Sequence, residues 1–275
     1  MNRKLLFLDV DGTLTPPGSN TPPVSALRAI EKARENGHMV FLCSGRNRAM
    51  LMPLLSLGCF DGAVASAGGF VFCGDRVLFD CPMPDSQRDT ALRLFEEQGV
   101  LRTVEACDAS YCDTELAEFL GEVSGGSSEL VRWRRALEKD LDIRPMSEYD
   151  GRPVYKIGFT CRRAEQLSPA VRALERDYHF LIQDVAAADC VNGELINRRF
   201  DKGRGILRIC EALAWDASDT AGFGDSMNDL EMIETVGVGV SMANGSPELR
   251  RHSDLICPPV EADGLAQAFE RLGLI

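Results

Sequence analysis

Histidine is scarce in this chain. Among 275 residues there are three, His38, His179 and His252, and none of the ten cysteines falls in a C-x-x-C pair. Clusters of the zinc-finger kind are therefore excluded, and scattered thiols without a secretory context imply a reduced, cytoplasmic protein. Basic charge is also in deficit. Thirty Lys and Arg stand against 42 Asp and Glu, a formal net charge of −12. A nucleic-acid binder would carry a basic stripe, and an anionic membrane surface would repel such a chain. A small anionic substrate stays admissible, because a few cations inside one cleft reverse the local sign. Long apolar runs are missing too. The first one, near Leu5–Leu8, ends in acid, too short for the roughly 7–15-residue core of a signal peptide. No stretch approaches the ~18 residues of a membrane span.

What is present is a soluble composition, 45% hydrophobic and 26% charged. Its first third alternates short apolar runs with helical patterns. Leu5–Leu8, Met39–Cys43 and Ala63–Ala67 read as strands, Val24–Asn36 and Arg46–Leu57 as helices, and Phe70–Phe72 with Arg76–Phe79 as a hairpin. Continuous apolar strands between helices imply a parallel sheet covered on both faces. The texture changes after Pro82 and Pro84. Helices are expected at Ser86–Gln98, Thr114–Val123, Ser127–Asp140 and Arg163–Asp177. Strands are expected at Leu101–Glu105, Ser110–Cys112, Val154–Thr160, Phe180–Asp184 and Asp189–Val191. From about Asn192 the α/β pattern returns, with helices at Lys202–Leu213, Met227–Thr235 and Gly264–Leu272 and strands at Thr220–Phe223, Val236–Val240 and Leu255–Cys257. The expected organisation is a Rossmann-like α/β core, residues 1–82 and 192–275, interrupted by an inserted α+β domain, residues 83–191.

Four places carry chemistry. The strand Leu5–Leu8 runs into Asp9-Val10-Asp11-Gly12-Thr13. Ligands of parallel α/β sheets sit at the carboxyl ends of strands. Two neighbouring carboxylates there either cap a turn or share a hard divalent cation such as Mg²⁺, which takes oxygen ligands. The second place is Ser44-Gly45-Arg46, after the strand Met39–Cys43. Ser44 either caps the following helix or offers its hydroxyl to a phosphate, backed by the Gly45 and Arg46 amides. The third is Lys202, opening a helix, solvated or neutralising a phosphate. The fourth is Gly224-Asp225-Ser226-Met227-Asn228-Asp229, acid at the start of another helix after another strand.

In this order the four motifs resemble the haloacid dehalogenase superfamily of phosphatases, and within it the Cof-like sugar-phosphate branch with a C2-type cap. Val238–Asn244 and Ala262-Asp263-Gly264 are similar to that branch as well. Ser66-Ala67-Gly68-Gly69 departs from it, because an Asn-Gly pair is common there. The resemblance implies that Asp9 is the nucleophile forming an aspartyl-phosphate. It implies that Asp11 protonates the leaving alcohol and then activates water. Mg²⁺ would be bound by the Asp9 carboxylate, the Asp11 carbonyl and Asp225, with Asp229 adding support directly or through water. Gly12, Ser44, Gly45, Arg46, Lys202 and Asn228 would serve the phosphate and its loops. The partner would be a small phosphorylated metabolite, over which the cap closes. Arg132, Arg134 and Arg135 are either cap cations or a solvated helix face, Arg198 and Arg199 near the re-entry to the core are equally ambiguous, and none is assigned a role. Two other readings remain open at this level. Asp9–Pro17 also looks like the opening of the phosphomannomutase branch, whose fourth motif is longer and richer in glycine. A non-catalytic phosphate- or metal-binding module could use the same fold.

Overall fold

The computed structural model describes residues 3–122, 143–183 and 190–275. In chain order its strands are β1 (Leu5–Leu8), β2 (Met39–Cys43), β3 (Gly62–Ala65), β4 (Phe70–Cys73), β5 (Arg76–Asp80), β6 (Leu101–Ala106) and β7 (Ser110–Cys112), then β8 (Ile143–Pro145), β9 (Val154–Cys161), β10 (Tyr178–Gln183), β11 (Val191–Asn197), β12 (Thr220–Gly224), β13 (Val238–Met242) and β14 (Leu255–Cys257). The α-helices are α1 (Val24–Glu35), α2 (Arg48–Leu55), α3 (Asp85–Glu97), α4 (Leu116–Glu122), α5 (Ser168–Leu174), α6 (Lys202–Leu213), α7 (Leu230–Thr235), α8 (Pro247–His252) and α9 (Gly264–Arg271). They fall into two compact units. One is Met1–Asp80 with Phe200–Ile275, the other Cys81–Arg199.

The first unit is built on one sheet of order β14-β13-β12-β1-β2-β3-β4-β5. It is parallel from β14 to β3, and only β4 and β5 run antiparallel. The apolar runs explain this, since every residue of β1 is fully buried and neither face of the strand meets water. Leu5, Phe7, Phe41 and Val64 pack with Ile206 and Ile209 of α6 and Met232 of α7. Phe7 and Phe41 stack at 5.3 Å. Phe223 is in register with Leu8, so it points to the opposite face, where it meets Phe269 of α9 at 5.2 Å. The chain adds strands outward from β1 on one side (β2, β3) and from β12 on the other (β13, β14). The boundary between β1 and β12 is thus a topological switch point, where open α/β sheets leave a crevice.

The second unit has a sheet of order β10-β11-β9-β6-β7-β8, antiparallel except for β7 with β8. Phe95 of α3 and Ala170 and Leu174 of α5 cover one face against Val104, Ile157, Phe159 and Leu195. The expected return to the first unit at Asn192 is corrected by strand β11. It is hydrogen-bonded to β10 on one side and β9 on the other, and the division falls after Arg199. Its sequence, VNGELIN, has no apolar run. The interior Glu194 is tolerated because it pairs with the buried Lys156 at 2.7 Å, which also meets Glu105 at 3.1 Å. The expected helix over Arg163–Asp177 is a 3₁₀ turn, Ala164–Leu167, followed by α5. Pro169 lacks an N–H and is accommodated only in a first helical turn, so α5 begins there. Likewise Asn47 caps α2 by accepting from the Met50 amide at 2.9 Å, which starts that helix at Arg48 rather than Arg46. The expected helix Ser127–Asp140, with Arg132, Arg134 and Arg135, lies outside the described residues, as do Asp184 and Asp189. Arg198 belongs to the second unit, where Nε donates to the Glu175 carbonyl at 2.9 Å. No helix among the described residues is long and apolar enough to cross a membrane, and all ten cysteines are free thiols.

The first turn of α6 is pressed against α7. Gly203 lies so close to that helix that a Cβ there would sit 2.4 Å from Thr235 Oγ1 and 2.5 Å from the Glu231 carbonyl oxygen. In an exposed helix Gly→Ala stabilises by about 1 kcal/mol. Overpacking a tight contact costs about 1–3 kcal/mol. Gly203→Ala is therefore expected to lower the thermal midpoint by several degrees, by circular dichroism. A raised midpoint would refute this close approach of α6 and α7.

Candidate active site

Three adjacent strands, β12, β1 and β2, end at the same edge of the sheet and deliver the motif residues to it. Leu8 is in register with Phe223 on one side and Leu42 on the other. Asp9 follows β1 directly, and its amide still donates to the Phe223 carbonyl at 2.9 Å, which fixes its backbone. The chain then turns back, with the Leu14 and Thr15 amides donating to the Val10 carbonyl at 3.0 and 2.9 Å. Gly12 makes the turn at φ +86°, and a Cβ at this position would lie 2.3 Å from Asp225 Oδ2. Both the left-handed backbone and the approach of Asp225 require glycine. The Asn244 side chain donates to the Gly12 carbonyl at 3.1 Å, and the Ser246 amide donates to the Asp225 carbonyl at 2.7 Å. The turn after β1 and the loops after β12 and β13 are thereby tied together.

Lys202 opens α6, whose start is capped by Asp201 accepting from the Arg204 amide at 2.7 Å. Its ammonium is 2% exposed and donates to Asp9 Oδ1 at 2.8 Å, Asp229 Oδ1 at 2.5 Å and Asn228 Oδ1 at 3.3 Å. Asp229 is fully buried. Its other oxygen accepts from the amides of Asp225 at 3.0 Å and Ser226 at 3.1 Å. The Ser226 hydroxyl donates to Asn228 Oδ1 at 2.9 Å.

Asp9, Asp225 and Asp229 each bring a carboxylate oxygen within 4.8 Å of the others. Three carboxylates thus face one ammonium. Burial, then the negative charge of Asp229, push the Asp9 carboxyl well above the usual range, and Lys202 only partly opposes them. Asp225 is raised in the same way by burial and by Asp9 and Asp229. Burial alone would lower Lys202, but Asp229 and Asp9 outweigh it and hold the ammonium charged. Clustered hard oxygen donors with more negative charge than the protein neutralises are the donor set of a divalent cation. The residues present fit Mg²⁺.

Asp11 is treated differently. Arg46 Nε donates to Asp11 Oδ2 at 2.8 Å and Nη2 to Oδ1 at 2.7 Å, while the Gly18 amide donates to Oδ1 at 2.8 Å. The same guanidinium donates to Asn20 Oδ1 at 2.6 Å and to the Ser19 carbonyl at 3.1 Å. The sequence suggests a phosphate role for the Arg46 amide. In this structure that amide donates to Ser44 Oγ at 3.2 Å. Ser44 itself is buried, held by its amide to the Val64 carbonyl at 2.9 Å. The departing loop Ser66–Gly68 lies against it, with the Ala67 amide donating to the Ser44 carbonyl at 3.0 Å and the Ser66 amide to the Arg46 carbonyl at 2.8 Å. Asp9, Lys202, Asp225, Asn228 and Asp229 therefore converge. Ser44, Gly45 and Arg46 flank them on the neighbouring strand end. The Arg46 guanidinium, Asn20 and Asn244 are contributors that the sequence does not announce. Their partners are distant along the chain, and only the Val238–Asn244 motif points toward one of them.

A family model described as haloacid dehalogenase-like hydrolase matches residues 6–269. YkrA of Bacillus subtilis strain 168, a candidate phosphatase, is 28% identical over 100% of both chains. A phosphoglycolate phosphatase of Methanothermobacter thermautotrophicus is 32% identical over 98% of both. The structure of BT4131, a sugar phosphatase of HAD subclass IIB, superposes with a TM-score of 0.77 at 20% identity, over 99% of this chain and 100% of that one. With its family model matched almost end to end, and carboxylates gathered at the switch point of the sheet, the chain belongs to the haloacid dehalogenase-like hydrolases and is a phosphatase of that family.

Proposed function

We propose that this phosphatase hydrolyses monoesters of small phosphorylated metabolites, sugar phosphates foremost, with Mg²⁺ and through a phosphoryl-aspartate on Asp9. The observation that carries the reading is the buried Lys202 bridge between Asp9 and Asp229, which holds one carboxylate oxygen of Asp9 and leaves that side chain beside Asp225. Phosphatase names among the relatives support the reaction class, and the named substrates, phosphoglycolate and sugar phosphates, support a small ester.

In this reading the Asp9 carboxylate attacks phosphorus. A new P–O bond forms, the ester P–O bond breaks, and its electron pair leaves on the alcohol oxygen, which takes a proton from Asp11. Asp11 then removes a proton from water as the water oxygen attacks phosphorus. The bond to Asp9 breaks, and inorganic phosphate leaves with the Asp9 carboxylate restored. A carboxylate approaching a phosphate meets like charge. One unit pair at about 4 Å costs about 1 kcal/mol in water and about 4 kcal/mol at an effective dielectric near 20. Lys202 offsets part of this, and the Ser44 hydroxyl offers a hydrogen bond to a phosphate oxygen. Mg²⁺, held by Asp9, Asp225 and the Asp11 carbonyl with Asp229 behind them, would supply the remaining positive charge.

Asp9→Asn is expected to lower kcat by roughly 10³-fold or more and to give no acid-stable phospho-enzyme from a labelled substrate. Undiminished turnover would remove Asp9 as the nucleophile. Chelation with EDTA should abolish phosphate release, and added Mg²⁺ should restore it. In Asp225→Asn, Mg²⁺ binding measured by calorimetry should weaken by roughly tenfold or more. Unchanged binding would dismiss the cation site.

A further inference from the structure

We propose that the Arg46 guanidinium is the positioning residue for Asp11, setting where that carboxylate meets the leaving group. The proposal rests on the reading of Asp11 as the proton-transfer group. It adds a role for a side chain expected only through its backbone.

The geometry is specific. Two parallel N–H···O contacts, Nε to Oδ2 at 2.8 Å and Nη2 to Oδ1 at 2.7 Å, fix both oxygens of Asp11 relative to the guanidinium plane. Such a fork sets the orientation of a carboxylate as well as its distance. Both partners are well shielded, with side-chain exposures of 7% for Arg46 and 11% for Asp11. The guanidinium is itself held. Nη1 donates to Asn20 Oδ1 at 2.6 Å and Nη2 to the Ser19 carbonyl at 3.1 Å, so the segment that folds back from Asp11 closes around it. The Gly18 amide adds a third donor to Asp11 Oδ1 at 2.8 Å. From the other side, the Arg46 backbone is pinned by the Ser66 amide on its carbonyl at 2.8 Å.

A direct phosphate contact is the competing use of an arginine at this place. Here Nε, Nη1 and Nη2 all already donate to Asp11, Ser19 and Asn20. These bonds use four of its five N–H groups, so a two-pronged grip on a phosphate would require the guanidinium to release one of these partners. The two uses predict different kinetics. A phosphate clamp touches the group common to every substrate. A clamp on Asp11 matters to kcat/KM, which runs only through the first transfer, where the departing oxygen needs a proton, while its part in the water step enters kcat alike for every ester.

The test compares wild type, Arg46→Ala, Arg46→Lys, Asp11→Asn and the double variant Arg46→Ala/Asp11→Asn. Each is assayed on p-nitrophenyl phosphate, a good leaving group, and on an alkyl or sugar phosphate, a poor one. Inhibition by inorganic phosphate is measured alongside. In Arg46→Ala, kcat/KM on the poor leaving group should fall by roughly 10²-fold or more, the range of positioned acid–base groups, and by under about tenfold on p-nitrophenyl phosphate. Phosphate inhibition should change by less than about threefold, a margin set by leaving the anion's own contacts in place. Arg46→Lys keeps the charge but cannot form the fork. It should keep its thermal midpoint and show the same leaving-group bias, which covers the case in which Arg46→Ala fails to fold. The double variant should be no worse than Asp11→Asn alone.

Equal losses of kcat/KM on both substrates with weakened phosphate inhibition would overturn the proposal in favour of a phosphate ligand. A lowered midpoint with unchanged kinetics would reduce Arg46 to a strut and overturn it too. An Asp11→Asn variant that shows no leaving-group bias would fault the underlying role of Asp11, and no turnover of any ester by wild type would fault the proposed function. Those two results are distinct from a failure confined to the Arg46 variants.

Discussion

The placement of one ammonium decides whether this sheet edge can exist. A carboxylate buried beside two others has to be matched, because moving an isolated charge out of water costs several kcal/mol even after the protein relaxes. Lys202 supplies the match by bridging Asp9 and Asp229. Lys202 and Asp9 are 193 residues apart, so no local structure can bring them together. The parallel sheet does it. Strand β12 lies next to β1, and α6, whose first residue is Lys202, packs on the sheet and on α7 through its early glycines. A change that moved α6 outward would leave Asp9 and Asp229 without their cation, and it would be felt both in folding and in the chemistry proposed for Asp9.

The two acids of the opening motif differ in their partners. Asp9 faces Lys202 and the acidic cluster, while Asp11 faces Arg46 and the Gly18 amide. One cation is a compact ammonium shared among several oxygens. The other is a planar fork that grips a single carboxylate. Shared point charge suits a group that must approach a phosphate in an already crowded field. A fork suits a group whose direction matters more than its neutralisation. The division of roles proposed for these two chemically identical side chains thus matches which cation each one meets.

The first unit is legible in the sequence because its inner strands are buried on both faces. LLFL and MVFLC have few other places to go, and their ends mark the site. The second unit is harder to bound. Strand β11 sits between two neighbours with asparagine, glycine and glutamate in its interior, so the expected strand stops at Val191, and the pairing of Lys156 with Glu194 emerges only in the fold. Position within the site is legible in the same uneven way. Asp9, Lys202, Asp225, Asn228 and Asp229 stand out by motif, and they converge. The Arg46 fork, Asn20 and the Asn244 contact to the Gly12 carbonyl do not stand out, since each depends on a fold-level contact rather than on spacing.

The loop that departs from the usual pattern shows how the two cations are held in one frame. Ser66 and Ala67 adopt left-handed backbones at φ +50° and +56°, and Gly68 follows at +100°. For non-glycine residues this region costs about 1 kcal/mol or more each, so the surrounding contacts must over-determine it. They do. The loop donates amides to the carbonyls of Ser44 and Arg46, and it packs against Asp201 at the start of α6. It therefore touches the segment that carries the Asp11 clamp and the segment that carries the Asp9 ammonium. A relaxed loop would let these two segments settle independently. A loop held in these left-handed conformations by contacts on both sides ties the segment of Arg46 to the segment of Lys202, and so links the two cations that meet Asp11 and Asp9.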